Sequence, residues 1–186
     1  MQQIRQEKIL NIPNTLTLVR IALLPIVAWC FKKGNMAAAL GAYLIAMLTD
    51  AFDGAIARKT NQITAFGKLL DPVADKLSLV TLLWLFVSDR QIPAWVLFVI
   101  IVKELLMVIG SSVALRNGIV VYALPIGKVT TVAFVASMIG RFIGYRLWAD
   151  GLLYLSVALS IVAFFWYSND LMRKMGEKKI QNRQTV

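Results

Sequence analysis

The stretch that decides the fold is residues 50–75, which read DAFDGAIARKTNQITAFGKLLDPVAD. Apolar runs flank it on both sides: residues 36–48 before it and residues 77–87 after it, thirteen and eleven residues long. A helix needs roughly 20 apolar residues to span a bilayer, so neither run spans one alone. Each run reaches membrane length only if its helix includes the neighbouring aspartates. We therefore expect two membrane helices that carry carboxylates near one end.

The rest of the chain has the composition of a membrane protein. Of its 186 residues, 59% are hydrophobic and 16% are charged, whereas an average soluble domain is about 45–50% apolar and about 25% charged. This excess excludes a soluble enzyme, a disordered chain and a disulfide scaffold, because a short chain needs polar residues to cover its surface. The sequence has no histidine and one cysteine, Cys30. Histidine-ligated metal sites, histidine acid–base catalysis and an intrachain disulfide are therefore excluded.

Six apolar stretches predict an all-α integral membrane protein with six transmembrane helices. The stretches are residues 15–31, 36–57, 67–87, 92–115, 129–145 and 151–167. Residues 1–14 predict a short amphipathic helix at the membrane interface that ends near Pro13. The membrane domain then covers residues 15–172, and residues 173–186 form a basic tail.

Basic residues predict the orientation in the membrane. Twelve Lys and Arg residues flank the side that holds both termini, and four flank the opposite side. By the positive-inside rule, both termini and the loop of residues 59–66 lie in the cytoplasm. The four aspartates then lie within one or two turns of the cytoplasmic face of a bacterial-type cell membrane. The expected partners of the basic tail are anionic membrane lipids and not nucleic acid.

The spacing of the four aspartates brings them together. Asp50 and Asp53 are three positions apart and Asp71 and Asp75 are four apart, so each pair shares one helix face, with neighbours roughly 5–6 Å apart. The two helices are antiparallel and joined by a short loop, so the two pairs face each other. Four negative charges in one small volume beside lipid are very unfavourable unless they are compensated.

Divalent cations are the compensation that we favour. Carboxylate oxygens without His or Cys favour Mg²⁺ or Mn²⁺ over Zn²⁺, and four carboxylates can hold two such ions about 4 Å apart. Two such ions at the boundary of water and lipid suit a phosphate or diphosphate group. Two alternatives stay open. In the first, several of the aspartates are protonated. In the second, the aspartates cap helices and form salt bridges with Arg58, Lys68 and Lys76.

Small residues and one arginine lie among the aspartates. Gly54, Ala57 and Gly67 allow a bulky ligand to approach the helix backbone closely, and Arg58 offers parallel N–H donors to a phosphate. Each has a simpler interpretation as well. The small residues also suit helix packing, and Arg58 also suits the cytoplasmic end of a membrane helix.

Together these positions form the pattern D-x2-D-G-x2-A-R-x8-G-x3-D-x3-D. It resembles the signature of the CDP-alcohol phosphatidyltransferase family, and all eight fixed positions match at the required spacing. Three further segments resemble the phosphatidylglycerophosphate synthases and cardiolipin synthases of that family: NIPNTLTLVR at 11–20, DPVADK at 71–76 and IGKVTT at 126–131.

This resemblance implies a homodimeric enzyme that takes CDP-diacylglycerol from the inner leaflet and releases CMP. It implies that Asp50, Asp53 and Asp71 ligate two metal ions, Mg²⁺ or Mn²⁺. It also implies that Asp75 completes the metal site and acts as general base. The implied nucleotide site consists of Gly54, Ala57 and Gly67 beside the cytidine and Arg58 at the diphosphate.

Basic residues inside or beside the helices suit an anionic acceptor such as glycerol 3-phosphate. These candidates are Arg20, Lys103, Arg116, Lys128 and Arg141. Two of them have a simpler interpretation. Lys103 pairs with Glu104 or with an aspartate, and Arg141 extends to the outer membrane face.

The preferred hypothesis is therefore synthesis of phosphatidylglycerol phosphate from CDP-diacylglycerol and glycerol 3-phosphate. Cardiolipin synthesis, with phosphatidylglycerol as acceptor, is the first alternative, and an inositol phosphate or amino-alcohol acceptor is the next. An ion-coupled transporter also uses membrane carboxylates, but transporter sites usually lie near the midplane, often in repeated halves. A purely structural membrane subunit is the last alternative.

Overall fold

The computed structural model describes residues 11–60, 64–119 and 125–184, and these residues form helices and no strand. The six helices are α1 (Ile12–Lys32), α2 (Met36–Thr60), α3 (Ala65–Ser88), α4 (Ala94–Arg116), α5 (Pro125–Phe142) and α6 (Arg146–Gln184). The all-α expectation is confirmed for these residues. Some helical positions, residues 53–60 among them, are described by their backbone alone.

Helix α1 begins earlier than the sequence predicted. Asn11 is its N-cap, and the side chain of Asn11 accepts a hydrogen bond from the backbone N–H of Asn14 at 2.9 Å. Pro13 lies in the first turn, where its fixed φ suits the start of a helix. The predicted helix boundary near Pro13 therefore falls at Asn11, and the interfacial helix before it stays a prediction. Residues 1–10, which carry the rest of the predicted interfacial helix, lie outside the described residues.

Three of the described helices are long and apolar enough to cross a membrane. They are α1, α4 and the Arg146–Lys178 segment of α6. Helix α2 contributes a shorter apolar stretch, Met36–Asp50. The aspartates of α2 and α3 interrupt the apolar sequence of those helices, as expected. Three of the six expected crossings therefore have a helix that could span a membrane by its length and composition, and the six crossings stay a prediction.

The chain divides into two compact units, with the boundary between Ile92 and Pro93. The first unit contains α1, α2 and α3, and α1 packs against both of the other helices. Its core is apolar: Val27 is fully buried, and the rings of Phe31 and Phe86 meet edge to face with centroids 5.1 Å apart. Buried positions recur every three or four residues along α1, so one face of this helix packs into the unit.

The second unit contains α4, α5 and α6. Helices α5 and α6 approach closely at Gly140, where an added Cβ would lie 3.3 Å from the Cβ of Ala149. The Ser137 hydroxyl donates a hydrogen bond to the carbonyl of Ala149 at 2.7 Å, and Arg141 pairs with Asp150. A close backbone approach and two polar contacts thus hold the α5–α6 hairpin together.

Helix α6 also contacts α4. Ala114 and Leu171 belong to a small buried apolar cluster, and Lys178 donates a hydrogen bond to the carbonyl of Asn117. Helix α6 continues to Gln184. The expected basic tail therefore starts as a continuation of the last helix.

Two glycines of the α5–α6 hairpin test this description. Gly144 has a φ of +86°, a conformation that costs other residues about 1–2 kcal/mol, so Gly144→Ala should lower the thermal unfolding temperature of the detergent-purified protein. Gly151 lies in α6 with open space at its Cβ position, and alanine stabilises a helix interior by about 0.5–1 kcal/mol relative to glycine. Gly151→Ala should therefore raise the unfolding temperature slightly. A higher unfolding temperature for Gly144→Ala than for Gly151→Ala would contradict this turn geometry.

Candidate functional site

Three polar side chains lie on the buried face of α1. Asn14, Thr17 and Arg20 are 2%, 0% and 2% exposed. They are three residues apart, so they share one side of the helix, and we call them the polar face of α1. Their contacts with α3 follow the same order along both helices: Asn14 with Thr64, Thr17 with Asp71 and Arg20 with Asp75.

The guanidinium of Arg20 joins two aspartates from different helices. Its Nη1 lies 2.7 Å from Oδ1 of Asp75 on α3, and its Nη2 lies 2.5 Å from Oδ1 of Asp50 on α2. The Arg20 side chain is 3% exposed, whereas the side chains of Asp50 and Asp75 are 53% and 58% exposed. One buried cation therefore contacts two carboxylates that stay accessible from outside the unit.

A third aspartate contacts α1 through a hydroxyl group. The Oγ1 of Thr17 donates a hydrogen bond to Oδ1 of Asp71 at 2.8 Å. Asp71 lies one helical turn before Asp75, so these two carboxylates share a face of α3. Helix α1 has no acidic residue of its own, yet it contacts three of the four aspartates of the motif.

The first turn of α3 packs tightly against α1. Thr64 is the N-cap of α3, and its hydroxyl oxygen accepts hydrogen bonds from the Gly67 N–H and the Asn14 amide, both at 3.0 Å. A Cβ on Gly67 would overlap with Oδ1 of Asn14. The space left by the missing side chain of Gly67 is thus filled by an amide from α1. The place of Gly67 beside a cytidine stays a prediction.

The remaining motif residues lie on the second half of α2. They are Asp53, Gly54, Ala57 and Arg58. Their side chains lie outside what the structure describes, so their predicted roles stay predictions. The backbone of α2 is helical from Met36 to Thr60. Asp53 therefore lies about one turn after Asp50 on the same helix.

The described aspartates fit hard divalent cations by their chemistry. They offer only carboxylate oxygens, which suit Mg²⁺ and Mn²⁺, and both Asp50 and Asp75 keep about half of their side-chain surface accessible. Among the described residues, no group of three or more His, Cys, Asp or Glu side chains is gathered for one ion. The side chain of Asp53, the fourth aspartate of the motif, is not among those described.

The residues of α1 that hold the aspartates were not predicted from the sequence. Arg20 was assigned to the acceptor, a role that stays a prediction, and Asn14, Thr17 and Thr64 were not singled out. A signal was present, because polar residues spaced three apart in an apolar helix indicate a second buried surface. Thr64 also stands three residues before Gly67, the spacing of an N-cap bond.

Two of the acceptor candidates in the second unit are already paired with a carboxylate. The Nζ of Lys103 lies 2.6 Å from Oε1 of Glu104, which is the ion pair that the simpler interpretation of Lys103 predicted. Arg141 is buried and pairs with Asp150. Its predicted extension to the outer membrane face stays a prediction. These pairs account for the presence of both cations in apolar helices.

The other two candidates of the second unit are exposed. Arg116 ends α4, and Lys128 lies in the first turn of α5. Lys128 and Arg141 lie near opposite ends of α5, about 20 Å apart along its axis at 1.5 Å per residue. A small anion bound close to the Lys128 end is therefore remote from Arg141. The acceptor roles of these residues stay predictions.

Comparisons with known proteins give consistent matches. A family model described as CDP-alcohol phosphatidyltransferase matches residues 10–164. A CDP-diacylglycerol--glycerol-3-phosphate 3-phosphatidyltransferase of Bacillus subtilis is 33% identical over 180 residues, which cover 84% of this chain and 93% of that protein. A protein of the same name from Rickettsia felis is 31% identical over 82% of this chain and 84% of its own length. A cardiolipin synthase (CMP-forming) of Streptomyces coelicolor is 28% identical over 62% of this chain and 57% of its own length.

Gly67 and Asn14 provide a test of the tight contact between α1 and α3. We expect Gly67→Ala to lower the thermal unfolding temperature, because its methyl group overlaps with a buried, hydrogen-bonded amide and overpacking costs about 1–3 kcal/mol. Asn14→Ala removes the overlap, so the unfolding temperature of the double variant should fall by less than the sum of the decreases in the two single variants. Gly110→Ala is the matched control, since its nearest neighbour lies at 3.5 Å. Simple additivity of the two changes would argue against the contact.

Proposed function

The chain belongs to the CDP-alcohol phosphatidyltransferase family, and on this premise we propose that it transfers the phosphatidyl group of CDP-diacylglycerol to glycerol 3-phosphate. The products are phosphatidylglycerol phosphate and CMP. The observation that carries the proposal is the assembly of Asp50, Asp71 and Asp75 against α1, within a motif that matches at all eight fixed positions. Relatives named for this reaction align with most of the chain and support glycerol 3-phosphate as the acceptor.

We assign the binding of two divalent cations, Mg²⁺ or Mn²⁺, to Asp50, Asp53, Asp71 and Asp75. When bound, such ions neutralise the charge of the diphosphate and of the departing CMP. The donor set of carboxylate oxygens supports this assignment. The accessible surfaces of Asp50 and Asp75 also support it, because ligands can reach these side chains from outside the unit.

The proposed reaction is a displacement at phosphorus. The acceptor hydroxyl attacks the phosphorus that carries diacylglycerol, the hydroxyl proton passes to a base, and the bond from this phosphorus to the CMP oxygen breaks. We assign the base to Asp75. This carboxylate is half exposed, and Arg20 holds its Oδ1 at 2.7 Å, which fixes its orientation.

The nucleotide is assigned to the residues of the motif that lie between the aspartates. Gly54, Ala57 and Gly67 are small enough to lie beside the cytidine, and Arg58 would bind the diphosphate through parallel N–H groups.

For the acceptor, the exposed Arg116 and Lys128 are the best suited of the predicted residues, because an exposed cation attracts the phosphate of glycerol 3-phosphate and neither forms an ion pair with another described residue. Arg20, Lys103 and Arg141 suit this role less well, since each already contacts a carboxylate.

We place the enzyme in the membrane with six crossings and with both termini in the cytoplasm. The three long apolar helices support a membrane location, and the basic residues near both termini support the orientation. With this orientation the aspartates lie near the inner leaflet, from which CDP-diacylglycerol would enter. Membership of the family also favours a homodimer.

An acceptor screen tests the proposed reaction. Purified protein would be incubated with CDP-diacylglycerol, Mg²⁺ or Mn²⁺, and one acceptor at a time, and CMP release would be measured. We expect release with glycerol 3-phosphate and a loss of this release when EDTA removes the metal. Release with phosphatidylglycerol alone would replace the proposal with cardiolipin synthesis. No release with any alcohol would reject a phosphatidyltransferase.

Substitution of Asp75 tests its role as general base. Asp75→Asn should lower CMP release by about 10²–10⁴-fold, the usual contribution of a positioned base, and should weaken CDP binding by a much smaller factor. Asp89→Asn is the matched control, because Asp89 ends the same helix at its far end and contacts Gln91, and it should retain full activity. If Asp75→Asn weakens CDP binding as much as turnover, the residue is a metal ligand only.

A further inference from the structure

We propose that Arg20 is a positioning residue that serves as a built-in counter-charge for Asp50 and Asp75. It holds the two carboxylates together when no divalent cation is bound. The inference rests on the proposed function, because it takes these carboxylates as the metal ligands of the enzyme. It follows from one juxtaposition: a guanidinium from α1 lies between carboxylates from α2 and α3.

Burial and charge make this contact mutually necessary. Arg20 is almost fully buried in an apolar helix, and a buried cation is strongly unfavourable without anionic partners. Asp50 and Asp75, in turn, repel each other when both are ionised at short range. A single arginine placed between them answers both requirements.

The shape of the side chain adds a geometric restraint. The guanidinium is a rigid planar group, and its two terminal nitrogens each take one carboxylate oxygen, at 2.5 and 2.7 Å. It therefore fixes the separation between the two Oδ1 atoms, whereas a lysine ammonium carries the same charge on a flexible stem without the fork. Thr17 restrains Asp71 from the same helix at 2.8 Å.

Removal of Arg20 should therefore make the stability of the folded protein depend more strongly on a bound divalent cation. With Arg20 present, the carboxylates stay assembled in metal-free protein. Without Arg20, the two carboxylates lose the counter-charge that lies between them until a divalent cation binds them. A ligand that binds only the folded state raises the unfolding temperature, so metal should restore much of the stability that the substitution removes.

The test compares thermal unfolding in EDTA and in excess Mg²⁺ for the full-length protein in detergent. Arg20→Met should lower the unfolding temperature by about 10 °C in EDTA, the scale expected for breaking a buried ion pair, and Mg²⁺ should recover at least half of this loss. The unfolding temperature of Arg20→Lys in EDTA should lie between those of wild type and Arg20→Met, because lysine keeps the charge but lacks the rigid planar guanidinium.

Arg141→Met is the matched control. Arg141 is equally buried and pairs with Asp150, which is not part of the aspartate motif. Its loss should lower the unfolding temperature by a similar amount with and without Mg²⁺. If Arg20→Met loses the same stability in both conditions, Arg20 is an ordinary structural residue and the proposal is overturned.

Two further variants keep the test decisive. If Arg20→Met does not fold, Arg20→Lys carries the comparison, and a Mg²⁺-induced rise no larger than that of wild type overturns the proposal. Addition of Asp50→Asn to Arg20→Met should raise the unfolding temperature in EDTA, because it removes one of the two charges that repel each other. This measurement uses neither substrate nor metal, so it stays informative even if the acceptor screen rejects the proposed reaction.

Discussion

A salt bridge that joins three helices is the interaction on which the first unit depends. The arginine comes from α1, and the carboxylates come from α2 and α3, so no two of these helices can separate without breaking a charged contact. Because the guanidinium is buried, it is very unfavourable for this arginine to lose its carboxylate partners. The unit therefore ties its stability to the same carboxylates that are assigned to the reaction.

The aspartates also limit where the site can lie. Carboxylates are expensive at the centre of a bilayer, and they divide α2 and α3 into an apolar part and a polar part. The polar parts adjoin the connection between these helices, and Thr64 and Gly67 fit the start of α3 closely against Asn14. Apolar packing, as between Phe31 and Phe86, holds the other ends together. Each helix thus has one end built for lipid and one end built for charge.

Local patterns in the sequence predicted the helices and the aspartate motif, because periodicity and spacing along one helix determine which residues share a face. They did not predict the partner of Arg20. That contact depends on how far α1 is shifted along α3, which no spacing within either helix reveals. The start of α1 was misjudged for a local reason, since Pro13 suits either side of a helix boundary and the cap at Asn11 decides it. The division after Ile92 was likewise not visible in composition, because both units are rich in apolar residues.

The length of α6 determines how well this helix tolerates the deletion of a residue. The helix has 39 residues, about 58 Å at 1.5 Å per residue, against roughly 30 Å of bilayer hydrocarbon, so almost half of it must emerge from the hydrocarbon. It is anchored to the end of α4 at two levels, by Leu171 in the buried cluster and by Lys178 on the carbonyl of Asn117. Deletion of one residue between these anchors would rotate Lys178 by about 100° around the helix axis. In the emerging part of α6, the number of residues between the two anchors therefore matters more than their identity, because it sets the direction in which Lys178 points.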